Sequence, residues 1–484
     1  MIPMTLAAIA EATGGELSHA DPTTVVTGTV EYDSRKVTAG GLFVALDGER
    51  VDGHDFAAGA VEAGVVAVLA TRPLDVPTIL VDDALVALAK LARAVVDRLP
   101  GLTIVGITGS SGKTSTKDLV AGLVRRLGPT VAPPESFNNE LGHPWTVLRS
   151  DESTRYLVLE KSARGVGHIK WLTDIAPPRI GVVLNVGSAH VGEFGSLEVT
   201  AQAKGELAEA LPANGVAILN ADDPRVRAMA SRTNARVVLV GVAADASVRA
   251  ENVSLDAVGR PGFTLVTDTG SAQLALSLYG EHHVGNALAA AAVGLELGLP
   301  LAEVVSTLAA ARPASRRRME VTERADGVTI IDDSYNANPD SMRAALKALR
   351  AMAGNGKGAL PTGQPGEEPR GRRRVWAVLG AMAELGESSR EQHDALGRLA
   401  VRLDIDRLVA VGPEAGAIHA GAVLEGSWGE ESVHVPDVDA AVELLNEQVV
   451  PGDVVLVKAS RAARLDRVAD ALLASTVGGS GIAR

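Results

Sequence analysis

An α/β chain of three domains with mostly parallel sheets is predicted by three features of the sequence. Short β-branched runs alternate with Ala/Leu-rich helical patterns, 484 residues exceed what one ordinary hydrophobic core accommodates, and a Gly-rich loop stands between an apolar strand and a helix. The runs are VVAVLA, LTIVGIT, YLVLE, RIGVVLN, GVAILN, ARVVLVG and DVVLVKAS. Each is short enough for a buried strand, and the helical patterns between them supply the crossovers that parallel pairing requires.

The first domain boundary is placed at Leu99-Pro100-Gly101, just before the strand that leads into the Gly-rich loop, and the second near Arg312-Pro313. This gives domains at 1–99, 100–313 and 314–484. Residues 354–374 hold a Gly/Pro-rich segment without apolar periodicity, expected to be a mobile surface loop. Its basic tail, Arg370 and Arg372 to Arg374, reads as a solvated flank.

Apolar residues at 46% and charged residues at 22% are the balance of a folded soluble protein. Aromatics are scarce at 3%, so Ala, Val and Gly must fill much of the core. A net charge of -13 argues against general nucleic-acid binding, which calls for a basic surface. The absence of cysteine excludes disulfides, thiolate metal sites and thiol nucleophiles. No run of about 18 uncharged apolar residues suggests a membrane span, and the N-terminal stretch reads as a short helix, not an export signal. A cytoplasmic monomer is expected.

The strongest chemical signal is GITGSSGKTSTK, residues 106–117, between the strand LTIVGIT and the helical run DLVAGLVRRL. Backbone N–H groups of Gly109, Ser110, Ser111, Gly112 and Ser115 and the helix N-terminus favour anionic oxygens, Lys113 neutralises charge, and Thr114 reaches Mg²⁺. The first Gly stands one residue earlier than in the strict Walker spacing. Glu160 ends one strand and His190 follows another, which places both at carboxyl ends of parallel strands, where α/β ligand sites assemble. With nucleotide phosphates they suit a divalent cation, Mg²⁺ by preference; taken singly, each also suits a capping or structural role.

TGSSGKTSTKD, ESFNNELGHPW, Glu160, NVGSAHVGEFGS, AKGEL, GEHHVGNALAA, DDSYNANPDSM and LVKASR follow one another in an order that resembles the Mur ligases across nearly the whole chain. The resemblance implies a small N-terminal UDP-binding α/β domain, a central P-loop ATPase-like mostly parallel sheet, and a C-terminal Rossmann-like domain that closes over ATP and binds the incoming dipeptide. It implies an ATP-dependent ligase that activates a carboxylate as an acyl-phosphate and joins it to an amine. DDSYNANPDSM is similar to the segment in family members that add D-Ala-D-Ala to UDP-N-acetylmuramoyl-tripeptide; the Asp-Asn-Pro-Arg motif of those adding the third residue is absent. A third-residue-adding ligase, a folylpolyglutamate-synthase-like ligase and a non-catalytic nucleotide-binding protein are the alternatives.

By the same resemblance Lys113, Glu160, His190 and Lys204 are the catalytic set, with Thr114, Glu160, His190 and a carbamate formed on Lys204 as metal ligands. Asn286 and His282 correspond to the adenine side, and Arg318 and Asp333 to contacts with ATP phosphate and ribose. Ser34, Arg35 and Lys36 are the first choices on the UDP side, with Asp52 and His54 second. Asn336, Ala337 and Asn338 are candidates for holding the dipeptide, and Lys458, Ser460 and Arg461 match a family motif without assigned contacts. No general base stands out. Two departures are notable: Lys161 places a cation beside Glu160, and Ala381 occupies a position that is usually acidic.

Overall fold

The structure is a computed structural model of the chain that describes residues 1–48, 51–187, 194–354, 372–426 and 431–475. Three main sheets follow one another along the sequence, as the alternating pattern predicts. The N-terminal sheet has five strands in the order Glu16–Ser18, Thr78–Leu80, Ala67–Ala70, Leu42–Val44 and Val30–Glu31, parallel except at its first pair. A two-stranded antiparallel pairing of Met4–Thr5 with Val25–Val26 lies beside it.

The central sheet has nine strands. Its parallel part runs Arg236–Gly241, Val216–Asn220, Ile180–Val183, Thr103–Thr108, Tyr156–Glu160 and Thr130–Val131. Beyond Arg236–Gly241 the sheet continues into Val248–Leu255, Pro261–Thr267 and Gly270–Ala275, antiparallel to one another. The sequence reading did not anticipate this extension. The C-terminal sheet runs Glu320–Glu323, Thr329–Asp332, Val454–Lys458, Val375–Leu379, Arg407–Val411 and Ser432–Val435, parallel apart from its first strand. The chain passes between sheets through residues 98–102 and 310–319.

Two helices show how local chemistry sets the frame. The helix Ala84–Asp97 begins at Asp83, whose carboxylate accepts the N–H groups of Leu85 and Val86, and its face of Ala84, Ala87, Leu88, Leu91, Ala92 and Val95 is buried. This face joins Leu157, Leu159 and Ile175 in one core, which seats the N-terminal unit against the central sheet. The helix Pro339–Met352 begins with a capping box between Asn338 and Ser341, and Pro339 fills its first position, where a missing N–H is harmless. Met342, Leu346 and Leu349 from this helix anchor the C-terminal core.

Side chains alternate across the strand Tyr156–Glu160. Val158 packs with the P-loop helix Lys113–Val124 and the helix His283–Glu296, whereas Leu157 and Leu159 face the opposite core. Glu160 therefore emerges on the P-loop side. Arg372, Arg373 and Arg374, the described part of the basic tail, are structural cations. Arg372 pairs with Asp404 and Asp406, Arg373 donates to the backbone of Gly452 and Asp453, and Arg374 pairs with Asp453. Arg370 and most of the Gly/Pro-rich segment lie outside the described residues. No helix among the described residues is long and apolar enough to cross a membrane.

Candidate active site

The loop 109–112 leads into the helix Lys113–Val124, and Gly112 makes that entry with φ 80°. A Cβ at Gly112 would lie 2.6 Å from Asn286 Oδ1, so both the backbone and the close neighbour call for glycine. The helix has no side-chain N-cap, and its first turn faces a cleft of about 320 Å³. Unsatisfied N–H groups at that end suit phosphate oxygens. Ser110 and Ser111 are used differently from expectation: their N–H groups go to the backbone and side-chain oxygens of Asn185, and Ser110 Oγ bridges to Gly187. Gly112, Lys113, Thr114 and Ser115 line the opening.

Lys113 Nζ donates to Gly109 O at 2.6 Å. Desolvation lowers its pKa to about 8, with Glu160 pulling it up and Arg318 pushing it down. Thr114 Oγ1 lies 2.6 Å from Ser136 Oγ and donates to Glu160 Oε2 at 3.2 Å. Asn138 Nδ2 donates to the same carboxylate oxygen, while Glu160 Oε1 is buried without a partner among the described residues. Burial raises the Glu160 pKa, opposed by Lys117, Lys113 and Arg318. A buried carboxylate oxygen with no donor, beside a hydroxyl and facing a phosphate loop, fits a hard divalent cation.

Lys204 is buried on the helix Leu197–Glu209, and burial followed by repulsion from Lys113 drives its pKa far down. The structure thus brings Lys113, Thr114, Glu160 and Lys204 toward one region. His190 lies outside the described residues.

Lys161 does not compete for Glu160. Its Nζ donates to Leu172 O and Ala176 O at 3.0 and 3.2 Å and lies 2.9 Å from His143 Nε2 on the opposite side of the sheet. Burial lowers its pKa to about 7.

The C-terminal unit closes the cleft with Arg318, Tyr335, Asn336, Asn338 and Arg461. Arg318 is presented by strained backbone: Arg317 and Met319 on either side have φ of 59° and 49°. The bend is held by Met319 N donating to Asp333 Oδ1, Arg317 N donating to Glu320, and ion pairs from Arg317 to Asp466 and Asp470. Arg318 Nη2 reaches Ser136 Oγ at 2.9 Å, its guanidinium lies 4.2 Å over the Tyr335 ring, and its Nε is buried without a partner among the described residues.

A neighbouring pocket of about 130 Å³ gathers His282, Asn286, Arg318 and Asp333, the expected nucleotide contacts from two domains. Asn286 Oδ1 accepts from Thr116 of the P-loop helix, and Lys458 Nζ pairs with Asp333 at 2.6 Å.

Several expected contacts change meaning. Asn338 caps its helix, accepting from Ser341 N at 2.9 Å, and Asn336 Oδ1 accepts the N–H of buried Ala337, so the oxygens of both amides are taken up by their own loop, while Asn338 Nδ2 reaches Ser110 O at 3.5 Å. His54 is a correction. Its ring is buried and both nitrogens are used, Nδ1 by Asp52 at 2.7 Å and Nε2 by Thr71, so in this structure it anchors the turn. Asp52 caps the same turn and pairs with Arg72. Ser34, Arg35 and Lys36 form an exposed single turn capped by Asp33, to which Arg35 is paired at 2.8 Å. Ala381 is buried, and the acid that its segment sends into the cleft is Glu384, three residues later, with φ 63°.

Ser136, Asn138, Asn185, Tyr335 and Glu384 were not picked out from sequence. The segment 135–140, polar apart from Phe137, was the clearest signal for Ser136 and Asn138, and a loop tyrosine in a chain with only four was that for Tyr335.

Models of three regions match the chain: the Mur ligase family, catalytic domain, at residues 27–97; the Mur ligase middle domain at 107–294; and the Mur ligase, glutamate ligase domain, at 317–461. The UDP-N-acetylmuramoyl-tripeptide--D-alanyl-D-alanine ligase of Mycobacterium tuberculosis is 53% identical over 520 residues, covering 99% of each chain. The crystal structure of MurF from Acinetobacter baumannii superposes with a TM-score of 0.84 at 30% identity, over 98% of this chain and 99% of that one. MurF ligase from Thermotoga maritima, in complex with ADP, gives a TM-score of 0.77 at 31% identity over 93% and 97%. With all three domains matched and near-complete coverage by relatives, this chain belongs to the Mur ligase family.

Proposed function

We propose that the chain joins D-Ala-D-Ala to UDP-N-acetylmuramoyl-tripeptide with hydrolysis of ATP to ADP and phosphate. The observation that carries this reading is the meeting of a P-loop, a buried strand-end carboxylate and an arginine from the C-terminal unit in one cleft. The relatives' names supply the substrates, and the sequence SYNANPDSM, without an Asp-Asn-Pro-Arg motif, favours the dipeptide over a single third residue.

In this reading the terminal carboxylate of the tripeptide attacks the γ-phosphorus, ADP departs, and an acyl-phosphate remains. Lys113, the N–H groups at the start of its helix and Arg318 meet the charge that develops on the phosphoryl oxygens. The dipeptide amine then adds to the acyl carbon, loses a proton, and phosphate leaves as the amide forms. Closure of Arg318 and Tyr335 over the cleft keeps water from the acyl-phosphate.

Mg²⁺ fits Glu160 Oε1 and the Thr114 hydroxyl, with Lys204 as a carbamate and His190 as further candidates. Bound there, it neutralises triphosphate oxygens. We infer a monomer acting in the cytoplasm, a location that ATP and a UDP-linked peptide as substrates support.

The test is phosphate release by the purified chain with ATP and UDP-N-acetylmuramoyl-tripeptide, comparing D-Ala-D-Ala, diaminopimelate, L-lysine and glutamate as acceptors. Release with the dipeptide alone is expected; release with a single amino acid instead transfers the chain to another branch of the family.

A further inference from the structure

We infer that the Arg461 guanidinium, supported by Arg316, receives the terminal carboxylate of the acceptor dipeptide. This rests on the ligase reading above and adds to it the group that fixes the acceptor's far end. A dipeptide acceptor is a zwitterion. Its amine must face the activated carbonyl near the P-loop, and its carboxylate then lies about 7 Å away in an extended chain. That carboxylate must lose part of its hydration to enter the cleft, which calls for a cation at the opposite wall.

Several cations around the cleft have partners, whereas Arg164, from the central unit, lines it without an ion pair among the described residues. Lys113 donates to Gly109 O, Arg318 to Ser136, and Lys458 to Asp333. Arg317 pairs with Asp466 and Asp470, and Arg464 with Asp466. Arg461 differs. Among the described residues its guanidinium makes no ion pair or hydrogen bond, and its one contact is with the Tyr335 ring at 5.7 Å.

Arg461 lies on the border of two spaces: the cleft that contains Lys113 and Glu160, and an adjoining pocket of about 360 Å³ lined by Arg316, Arg317 and Arg464 together with the acids Glu135 and Asp466, the latter paired with Arg317 and Arg464. Arg316 likewise makes no ion pair among the described residues and faces that pocket. A planar fork lying over an aromatic ring is already oriented for a two-toothed contact with a carboxylate.

Position in the chain agrees with this assignment. Arg461 opens the turn that follows the strand Val454–Lys458, at the carboxyl end of the C-terminal sheet. Tyr335 stands in the loop after the neighbouring strand Thr329–Asp332. The side-chain oxygens of Asn336 and Asn338 are bound within their own loop, and Asn338 Nδ2 reaches Ser110 O at 3.5 Å. A neutral amide compensates a carboxylate less than a guanidinium does, which favours Arg461 as its holder.

The experiment measures kcat and KM for ATP, UDP-N-acetylmuramoyl-tripeptide and D-Ala-D-Ala with the full-length wild-type chain, Arg461→Gln and Arg461→Lys. Each is repeated with the D-Ala-D-Ala carboxamide as acceptor. Arg461 is exposed, so thermal midpoints of the variants should match the wild type. In Arg461→Gln the KM for D-Ala-D-Ala should rise about 10- to 100-fold, the range of a charged hydrogen-bonded contact. The KM values for ATP and the tripeptide should stay within about threefold, and Arg461→Lys should fall between wild type and Gln. Wild type should prefer the free acid over the carboxamide, and Arg461→Gln should lose that preference.

An equal penalty on acid and carboxamide overturns the inference. So does a rise confined to the tripeptide KM, which would give the guanidinium to a carboxylate of the donor peptide. Either result leaves the ligase reading intact, whereas wild-type protein that couples no dipeptide at all removes the reading itself.

Discussion

Glu160 and Lys161 are consecutive, yet their side chains leave the central sheet on opposite faces. Glu160 Oε2 accepts from Thr114 and Asn138 beside the P-loop, while Lys161 Nζ is held by His143 and the carbonyls of Leu172 and Ala176. The period of two along a strand separates the anion from the cation, so a lysine next to a candidate metal ligand leaves that ligand uncompensated and available.

The first prediction concerns Glu160→Gln. The substitution keeps shape and the hydrogen bond from Asn138 but removes the charge that a cation needs. Phosphate release should fall about 10²- to 10³-fold, the scale of losing one electrostatic contact to the transition state. Stability should move the other way, by about 1 kcal/mol, because a buried anionic oxygen without a donor opposes folding. Urea midpoints at pH 7.5 check the second half; a variant that turns over normally refutes the metal role.

Lys161 and His143 form a buried polar pair that should behave as a unit. Lys161→Met leaves His143 Nε2 without its partner, and His143→Leu strips the buried lysine of an acceptor. Each single change should cost about 1–3 kcal/mol. The double variant should cost less than their sum by about 1 kcal/mol, measured as a cycle of urea midpoints, and strict additivity would contradict the coupling.

The same pair predicts acid sensitivity. Burial, with Lys161 adding to it, holds the His143 pKa well below its ordinary 6.5. The unfolded chain therefore binds a proton that the folded chain refuses. Stability is fully present above about pH 6.5 and declines as pH falls toward the folded value, by up to about 1.4 kcal/mol per pH unit for one such group. His143→Leu should show a shallower decline between pH 7 and 5.5 than wild type, read from urea midpoints; parallel pH curves would count against a buried neutral His143.

Much of this architecture could be read from the residues, because the signals were local. Seven β-branched runs became strands, and the P-loop fell between a strand and a helix, since phosphate binding needs that junction. The antiparallel extension Val248–Ala275 escaped notice because its outer strands Val248–Leu255 and Gly270–Ala275 expose many polar positions, although Pro261–Thr267 between them alternates buried and half-buried. The site was legible where one motif carries one role, as at Lys113, and less so where a role depends on the third dimension. His54 looked available until its buried ring showed both nitrogens occupied. Asn338 has the chemistry of a ligand contact and equally that of an N-cap, and only the fold of residues 338–341 chose between them. Glu384 enters the cleft because its left-handed backbone turns it there, and spacing alone does not encode that turn.

Arg318→Lys should separate charge from geometry. Lysine keeps the positive charge but loses the planar contact over Tyr335 and the reach to Ser136. If the guanidinium serves the phosphoryl group during transfer, kcat should fall about 10²-fold while the KM for ATP changes little. A rise in ATP KM with kcat unchanged would instead make Arg318 a ground-state contact.

Lys204 supplies the last prediction. A carbamate forms when an uncharged amine nitrogen adds to the carbon of CO₂ and releases a proton, and an ammonium cannot do this. Lys204 is buried at 2% exposure, and desolvation with repulsion from Lys113 keeps its amine uncharged far below the usual lysine range. The site therefore favours the reactive form and, once modified, replaces a neutral amine with an anion near Lys113. Lys204→Ala should lower turnover by about 10- to 100-fold, as loss of a ligand-supporting group does. Wild-type activity should also decline after prolonged exchange into CO₂-depleted buffer and return on addition of bicarbonate, whereas Lys204→Ala should not respond. Full wild-type activity after that depletion, with the lysine shown unmodified by intact mass, would leave Lys204 as a buried neutral amine near Lys113.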